Sequence, residues 1–323
     1  CLTLINEGYE VIIIDNFSNS SIESIRRIET LTSYNIIFYN IDIRDRLALE
    51  KVFNEHSIDA VIHFAGLKAV NESIKIPIQY YENNVYGSIN LFNVMNKFKC
   101  KFLVFSSSAT VYGDTTISPI NEDFPLSSNN PYGRSKLIIE EILKDIYESD
   151  NTWRIARLRY FNPVGAHKSG MIGEDPNGTP NNLFPYISQV AVGKRKEIKI
   201  FGGDYDTNDG TGVRDYIHVM DVADGHINAL KTLEERSQII TLNLGTGNGY
   251  SVLEVIKTFE IINGIKIPYE IVDRRDGDVG TCYADTQLAS LVLNWRASHN
   301  LESMCKDAWN WQKMNPNGYS NDD

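Results

Sequence analysis

The 323 residues suffice for one large or two moderate domains with a sizeable core, and the 42% hydrophobic fraction is ordinary for a globular protein. A formal net charge of -11 argues against nucleic acid or an anionic membrane as a partner, and no apolar run approaches the roughly 18 residues of a membrane span. Four cysteines, Cys1, Cys100, Cys282 and Cys305, show neither metal-ligand spacing nor a dense disulfide pattern, so no metal is expected and a reducing cytoplasm is the expected setting.

In chain order, Cys1 through Glu7 reads as the end of a helix stopped by Gly8. A helix that short nucleates poorly, and no Met begins it, so the sequence is expected to be truncated within its first element. Val11 to Asp15 then reads as a buried strand. Strands follow at Ile36 to Tyr39, Ala60 to Phe64, Phe102 to Phe105 and Ile155 to Tyr160, alternating with helices at Asp45 to His56, Asn83 to Phe98 and Pro131 to Tyr147. This alternation predicts an α/β fold, a Rossmann-like, doubly wound parallel sheet lacking its first strand, whose ligands sit beyond the carboxyl ends of the strands. From Pro163 to Gly212 the composition shifts to Gly, Pro, Asn and Asp, with a helix at Leu183 to Val192 and a strand at Ile198 to Phe201. A smaller α/β lobe is expected there. A helix at Asp221 to Leu233 and a strand at Ile239 to Leu244 return the chain to the first lobe, and a helix at Ser251 to Ile262 leaves it again. The expected division is therefore 1–162 plus about 213–246, and 163–212 plus about 247–323. The tail from Asn315 is polar and reads as frayed.

Two stretches carry chemistry. Pro131 suits the first position of a helix, with Asn129 and Asn130 as available caps, and Tyr132 and Lys136 then share one helical face. An ammonium beside a phenol stabilises the phenolate and brings tyrosine towards use as a base near neutral pH. Ser106-Ser107-Ser108, after an apolar strand, offers a hydroxyl to complete an acid/base site. Asp15 closes a strand and is followed by Asn16-Phe17-Ser18-Asn19-Ser20; an acid in that position suits the two hydroxyls of an adenine ribose and disfavours a 2'-phosphate, although aspartate also commonly begins a turn. The glycine-rich loop that precedes such an acid is expected upstream of Cys1.

The sequence resembles the extended short-chain dehydrogenase/reductase family, and within it the branch that epimerises UDP-sugars at C4. The resemblance rests on Asp15-Asn16, Asp42-Ile43-Arg44, His63 to Val70, Ser106 to Gly113, Pro131 to Lys136, Arg159 to His167, Pro180 to Leu183 and Gly212 to Val219, and it runs from residue 1 to about Tyr319. It implies NAD-dependent interconversion of UDP-galactose and UDP-glucose through a 4-keto sugar. In that picture Tyr132 takes the proton of the 4-hydroxyl, Lys136 lowers the pKa of Tyr132 and binds the nicotinamide ribose, and Ser108 holds the sugar O4. NAD is expected against residues 15–20, Asp42, Ile43, Phe64, Ala65, Gly66, Leu67, Lys68, Asn83 and Phe161, besides Ser108, Tyr132 and Lys136. The UDP-sugar is expected against Asn162, Asn182, Leu183, Lys199, Ile200, Phe201, Arg214, Arg275, Asp278 and Cys282, besides Ser108 and Tyr132. The run Arg274-Arg275-Asp276 also reads as a solvated cluster of charge. Homodimerisation through the helices from Asn83 and Tyr132 is expected from the family alone.

Cys282 falls beside the sugar, at a position where family members carry either a bulky aromatic or a small residue. A small side chain leaves volume for a 2-acetamido group, so UDP-N-acetylglucosamine and UDP-N-acetylgalactosamine become further candidate substrates. A nucleotide-sugar 4,6-dehydratase shares Tyr and Lys but needs a carboxyl pair where this sequence has Ala109-Thr110. A weakly NAD-binding, non-catalytic fragment is the remaining alternative, because the backbone amides of the glycine loop are absent from these residues.

Overall fold

The structure is a computed structural model and describes residues 1–115, 117–235, 237–275 and 278–319. The chain runs through α1 (Leu2–Asn6), β1 (Ile12–Asp15), α2 (Glu23–Thr32), β2 (Ile37–Asn40), α3 (Arg46–Glu55) and β3 (Val61–His63). It continues through α4 (Val70–Lys75), α5 (Pro77–Tyr80), a π-helical segment (Tyr81–Tyr86), α6 (Gly87–Lys97), β4 (Phe102–Ser108), α7 (Pro131–Ser149) and β5 (Arg154–Tyr160). Then follow β6 (Asn162–Val164), α8 (Leu183–Ala191), β7 (Ile198–Phe201), β8 (Val213–Arg214), β9 (Tyr216–His218) and α9 (Val219–Glu235). Last come β10 (Ile239–Leu244), β11 (Tyr250–Ser251), α10 (Val252–Asn263), β12 (Tyr269–Val272), β13 (Thr281–Cys282), α11 (Gln287–Leu293) and α12 (Leu301–Met314).

Helix starts fall where the capping chemistry marks them. The Asp45 carboxylate accepts the Ala48 N–H at α3, Asn130 accepts the Gly133 N–H at α7, and Ser251 and Glu254 form a reciprocal capping box at α10. Strands β10, β5, β4 and β3 form a parallel sheet in that order, while β1 and β2 pair parallel in a separate sheet. Alternation along β4 sends Leu103 and Phe105 into a core with Leu49, Met95, Ile139 and Leu143, and Val104 into one with Leu158, Val222, Leu230 and Leu242. A third core gathers Phe184, Ile187, Ile200, Ile256, Phe259 and Met304 around α8, α10 and α12, beside the β7–β12 pair.

Five expectations are corrected. The strand read as Phe102 to Phe105 runs on to Ser108, because β5 supplies a parallel partner as far as Ser108 opposite Tyr160, and that ladder overrides the weak strand preference of serine. The helix read as continuous from Asn83 begins inside the π-helical segment, a widened turn of the kind found at functional sites. β1, read as buried, is only half-buried throughout. The tail is anchored through Tyr319: Asn315 donates to the Gly170 carbonyl, the Tyr319 hydroxyl donates to the Gly173 carbonyl, and Arg27 lies 5.1 Å from the Tyr319 ring. Residues 320–323 lie outside the described set. Finally, Ala289, Leu293 and Trp295 pack with β10 and α9 in the core of the first lobe, although the expected division puts them in the second. Their apolar stripe finds the uncovered face of α9.

Candidate active site

The end of β4 and the start of α7 converge, and each of the three serines has a distinct partner. Ser106 Oγ lies 2.7 Å from His226 Nε2, and His226 Nδ1 lies 2.8 Å from the Val222 carbonyl. A carbonyl only accepts, so Nδ1 carries the proton and Nε2 accepts from Ser106. Burial pushes this imidazole down to about 4, which keeps it neutral. Ser107 donates to Glu140 on α7, and Glu140 accepts the Arg159 guanidinium from β5 as a fork, with Nη2 at 2.6 Å and Nε at 3.0 Å. Ser108 Oγ accepts the Thr110 N–H and hydroxyl at 3.2 and 3.0 Å.

Lys136 projects from α7 so that Nζ donates to the Ser106 carbonyl at 2.8 Å and lies 4.9 Å from the Phe105 ring. Burial pushes its ammonium down to about 8, with the Glu140 carboxylate acting the other way. Tyr132, one turn earlier, is buried, and its phenol is pushed up by that burial while the Ser108 hydroxyl opposes the shift. Burial therefore works against the effect expected of Lys136 on Tyr132, and one N–H of the Lys136 ammonium goes to the Ser106 carbonyl.

Beyond the carboxyl ends, short hydrogen bonds hold the loops that follow the strands. Asp15 Oδ1 accepts the Phe17 N–H at 2.7 Å and the Ser20 hydroxyl at 3.0 Å, Phe17 has a positive φ of 51°, and Ser18 N–H donates to Asn16. Asn19 is exposed beside them. Asn16 donates to Asp42, which a fork from Arg44 holds well below the usual carboxylate range. Ile43 packs under Gly87, where a Cβ would come within 2.6 Å of Ile43 Cδ1. Phe64 stacks on His226 at 4.7 Å and Ala65 is exposed after it. A Cβ at Gly66 would stand 3.3 Å from Asn84 Oδ1 and 3.7 Å from Lys136 Nζ, so the glycine lets this loop sit close against both side chains. Lys68 pairs with Glu174 at 3.1 Å. Asn83 donates to Asn84, and Asn84 is the residue that sequence reasoning missed: it bonds both main-chain polar atoms of Leu67 and donates to Ser135 Oγ, joining the Gly66 loop to α7. The Asn83-Asn84 doublet was the available signal.

A cavity of about 360 Å³ brings together eight of the expected substrate residues, from Asn182 and Leu183 at α8, through 199–201 on β7, to Arg214, Arg275 and Asp278. The arginine run is not simply solvated: Arg274 pairs with Asp204 at 2.7 Å and lies 4.1 Å from the Tyr205 ring, and Arg275 lies 3.7 Å from Phe201. Asp276 lies outside the described residues. Asn162 and Cys282 do not line this cavity. Asn162 is exposed on β6, and Cys282, opposite Arg214 in the strand register, packs with the cluster of Phe161, Val111, Tyr112 and Ala284. Among the described residues, no group of three or more His, Cys, Asp or Glu side chains could hold a metal ion, and no helix is long and apolar enough to cross a membrane.

With this geometry in hand, the family model described as GDP-mannose 4,6 dehydratase matches residues 1–308. The UDP-glucose 4-epimerase of Bacillus subtilis (strain 168) is 55% identical over 319 residues, covering 99% of this chain and 94% of that protein. The chain belongs to the extended short-chain dehydrogenase/reductase family, in its UDP-glucose 4-epimerase branch. Among solved epimerases, that of Stenotrophomonas maltophila with bound NAD and formylated UDP-arabinopyranose superposes with a TM-score of 0.96 at 50% identity, covering 97% of this chain and 94% of that one. The enzyme of Bifidobacterium longum in complex with NAD+ and UDP gives 0.94 at 51% identity, over 98% and 95% of the two chains. The Asp15 carboxylate as acceptor and the Arg214 and Arg275 guanidinium groups of the cavity as donors fit a dinucleotide beside a nucleotide diphosphate.

Proposed function

We propose that this epimerase-family chain interconverts UDP-glucose and UDP-galactose by inverting C4 of the sugar. The observation that carries the reading is the convergence of Ser108, Tyr132 and Lys136 at the carboxyl end of β4, beside the loop that carries Gly66. Tyr132 removes the proton of the 4-hydroxyl and returns it after the 4-keto sugar has turned over. NAD held there would supply the acceptor and then the donor of the C4 hydride, so that net redox change is nil. Ser108 holds O4, and Lys136 holds the nicotinamide ribose and offers its charge to the Tyr132 phenolate. Residues 15–20, Asp42, Ile43, 64–68, Asn83 and Phe161 hold the rest of the cofactor. Asn162, Asn182, Leu183, 199–201, Arg214, Arg275 and Asp278 take the UDP part, where the guanidinium fork suits diphosphate.

The small side chain of Cys282, at the position that the family resemblance sets beside the sugar, is what supports acceptance of 2-acetamido sugars. Ala109 and Thr110 offer no carboxyl for a 4,6-dehydratase, and the intact triad disfavours a non-catalytic fragment. The division into a cofactor lobe, 1–162 plus about 213–246, and a substrate lobe, 163–212 plus about 247–323, is supported by the separate cores, with 287–297 transferred to the first. Exposed Ile78, Tyr86 and Ile89 on the helices through the π segment support a homodimer, which sedimentation equilibrium checks. A cytoplasmic place in galactose metabolism follows from the same reading. Conversion of UDP-galactose, followed with a coupled UDP-glucose dehydrogenase, tests it: Tyr132→Phe is expected to lower kcat by about 10²–10⁴-fold while UDP still binds. A variant retaining more than roughly a tenth of the activity would refute the assignment.

A further inference from the structure

We propose that Tyr205, on the loop after β7, donates a hydrogen bond from Oη to an oxygen of the ribose–diphosphate segment of the substrate. The inference rests on the reading that the cavity beside it takes a nucleoside diphosphate. Tyr205 is 8% exposed and lines that cavity, and its hydroxyl is buried with no hydrogen-bond partner among the described residues. Buried hydroxyls are nearly always paired, and a phenylalanine would fill the same volume without the desolvation cost, so the unpaired group marks a partner supplied from outside the chain.

The ring is not free to turn away. A Cβ at Gly202, whose φ is +86°, would come within 2.4 Å of Tyr205 Cε2, so this glycine admits the ring edge, and Gly280 lies against the other edge. The Arg274 guanidinium, itself fixed by Asp204, lies 4.1 Å from the ring. The Tyr205 main chain is pinned through its N–H to the Gly210 carbonyl. Asp278 and Arg214, opposite charges that act on the hydroxyl, line the same cavity. Burial and Asp278 raise the phenol, so it stays protonated and can only donate or accept as a neutral hydroxyl. Arg214 is held by the Val213 carbonyl at 2.8 Å, which leaves Tyr205 as a second, neutral donor beside a charged one. An anionic or ribose oxygen meets both.

Titration calorimetry with UDP, and steady-state kinetics with UDP-glucose, on the wild type and Tyr205→Phe test this. The expected result is roughly tenfold weaker UDP binding, a KM raised by a similar factor and an unchanged kcat, with the melting temperature of the nucleotide-free protein not lowered. UDP affinity within about twofold of wild type overturns the inference, and so does a lowered melting temperature, because the hydroxyl would then serve the fold. Failure of the wild type itself to bind UDP would strike the functional reading instead.

Discussion

Glu140 offers the sharpest test of how the site is held. Its side chain is 1% exposed and that of Arg159 4%, and the pair joins α7 to β5 through a fork with contacts at 2.6 and 3.0 Å, while Ser107 adds a bond from β4. Replacing Glu140 by Leu leaves a buried guanidinium whose remaining partners are the Tyr112 hydroxyl at 3.0 Å and the Glu122 carbonyl at 3.3 Å. Removal of one partner of a buried pair costs about 3–5 kcal/mol; the two surviving contacts place this case near the lower end, about 3 kcal/mol. Arg157 adds to the cost, since its Nε has no partner among the described residues and the Glu140 charge is what favours its cation. Glu140→Leu combined with Arg159→Met removes both charges and keeps the volume, and is expected to recover about 2 kcal/mol of the loss. Urea titration of the single and double variants measures both numbers. A single-variant cost under about 1 kcal/mol, or strictly additive losses in the double variant, would refute the argument that this pair ties α7 to the sheet.

Acid sensitivity follows from the two buried imidazoles. His63, bonded to Ser88, is held down at about 3 and His226 at about 4, each by burial, against an ordinary value of 6.5. Below pH 6.5 the unfolded chain takes up protons that the folded one refuses, so this stability is complete above pH 6.5 and is lost as pH falls towards 4, by about 2 kcal/mol per imidazole at pH 5. His226→Gln should reduce the drop in urea midpoint between pH 7 and 5 by about half; an unchanged drop would show that His226 does not carry it. For substrate range, Cys282→Tyr is expected to lower kcat/KM for UDP-N-acetylglucosamine much more than for UDP-glucose, and equal loss for both sugars, or none, removes Cys282 from specificity.

Local chemistry determined a good deal of this protein without help from tertiary contacts. Asn130 and Pro131 fix the start of α7, hence the shared face of Tyr132 and Lys136, and Ser251 with Glu254 fixes α10, because caps satisfy main-chain groups within one turn. Strand and helix alternation likewise carried the parallel sheet, and motif order carried the family. Tertiary structure decided what neighbours supply from far along the chain. Ser106 to Ser108 are strand rather than turn because β5 pairs with them; Asn84 matters because Leu67 and Ser135 surround it; Tyr319 is anchored because Arg27 and Gly173 wait for it. The protonation states at the centre belong to this second class. Lys136 and Tyr132 look in sequence like a pair in which the cation lowers the phenol, but a pKa answers to burial as well as to the neighbouring charge, and burial is a property of the whole packed chain.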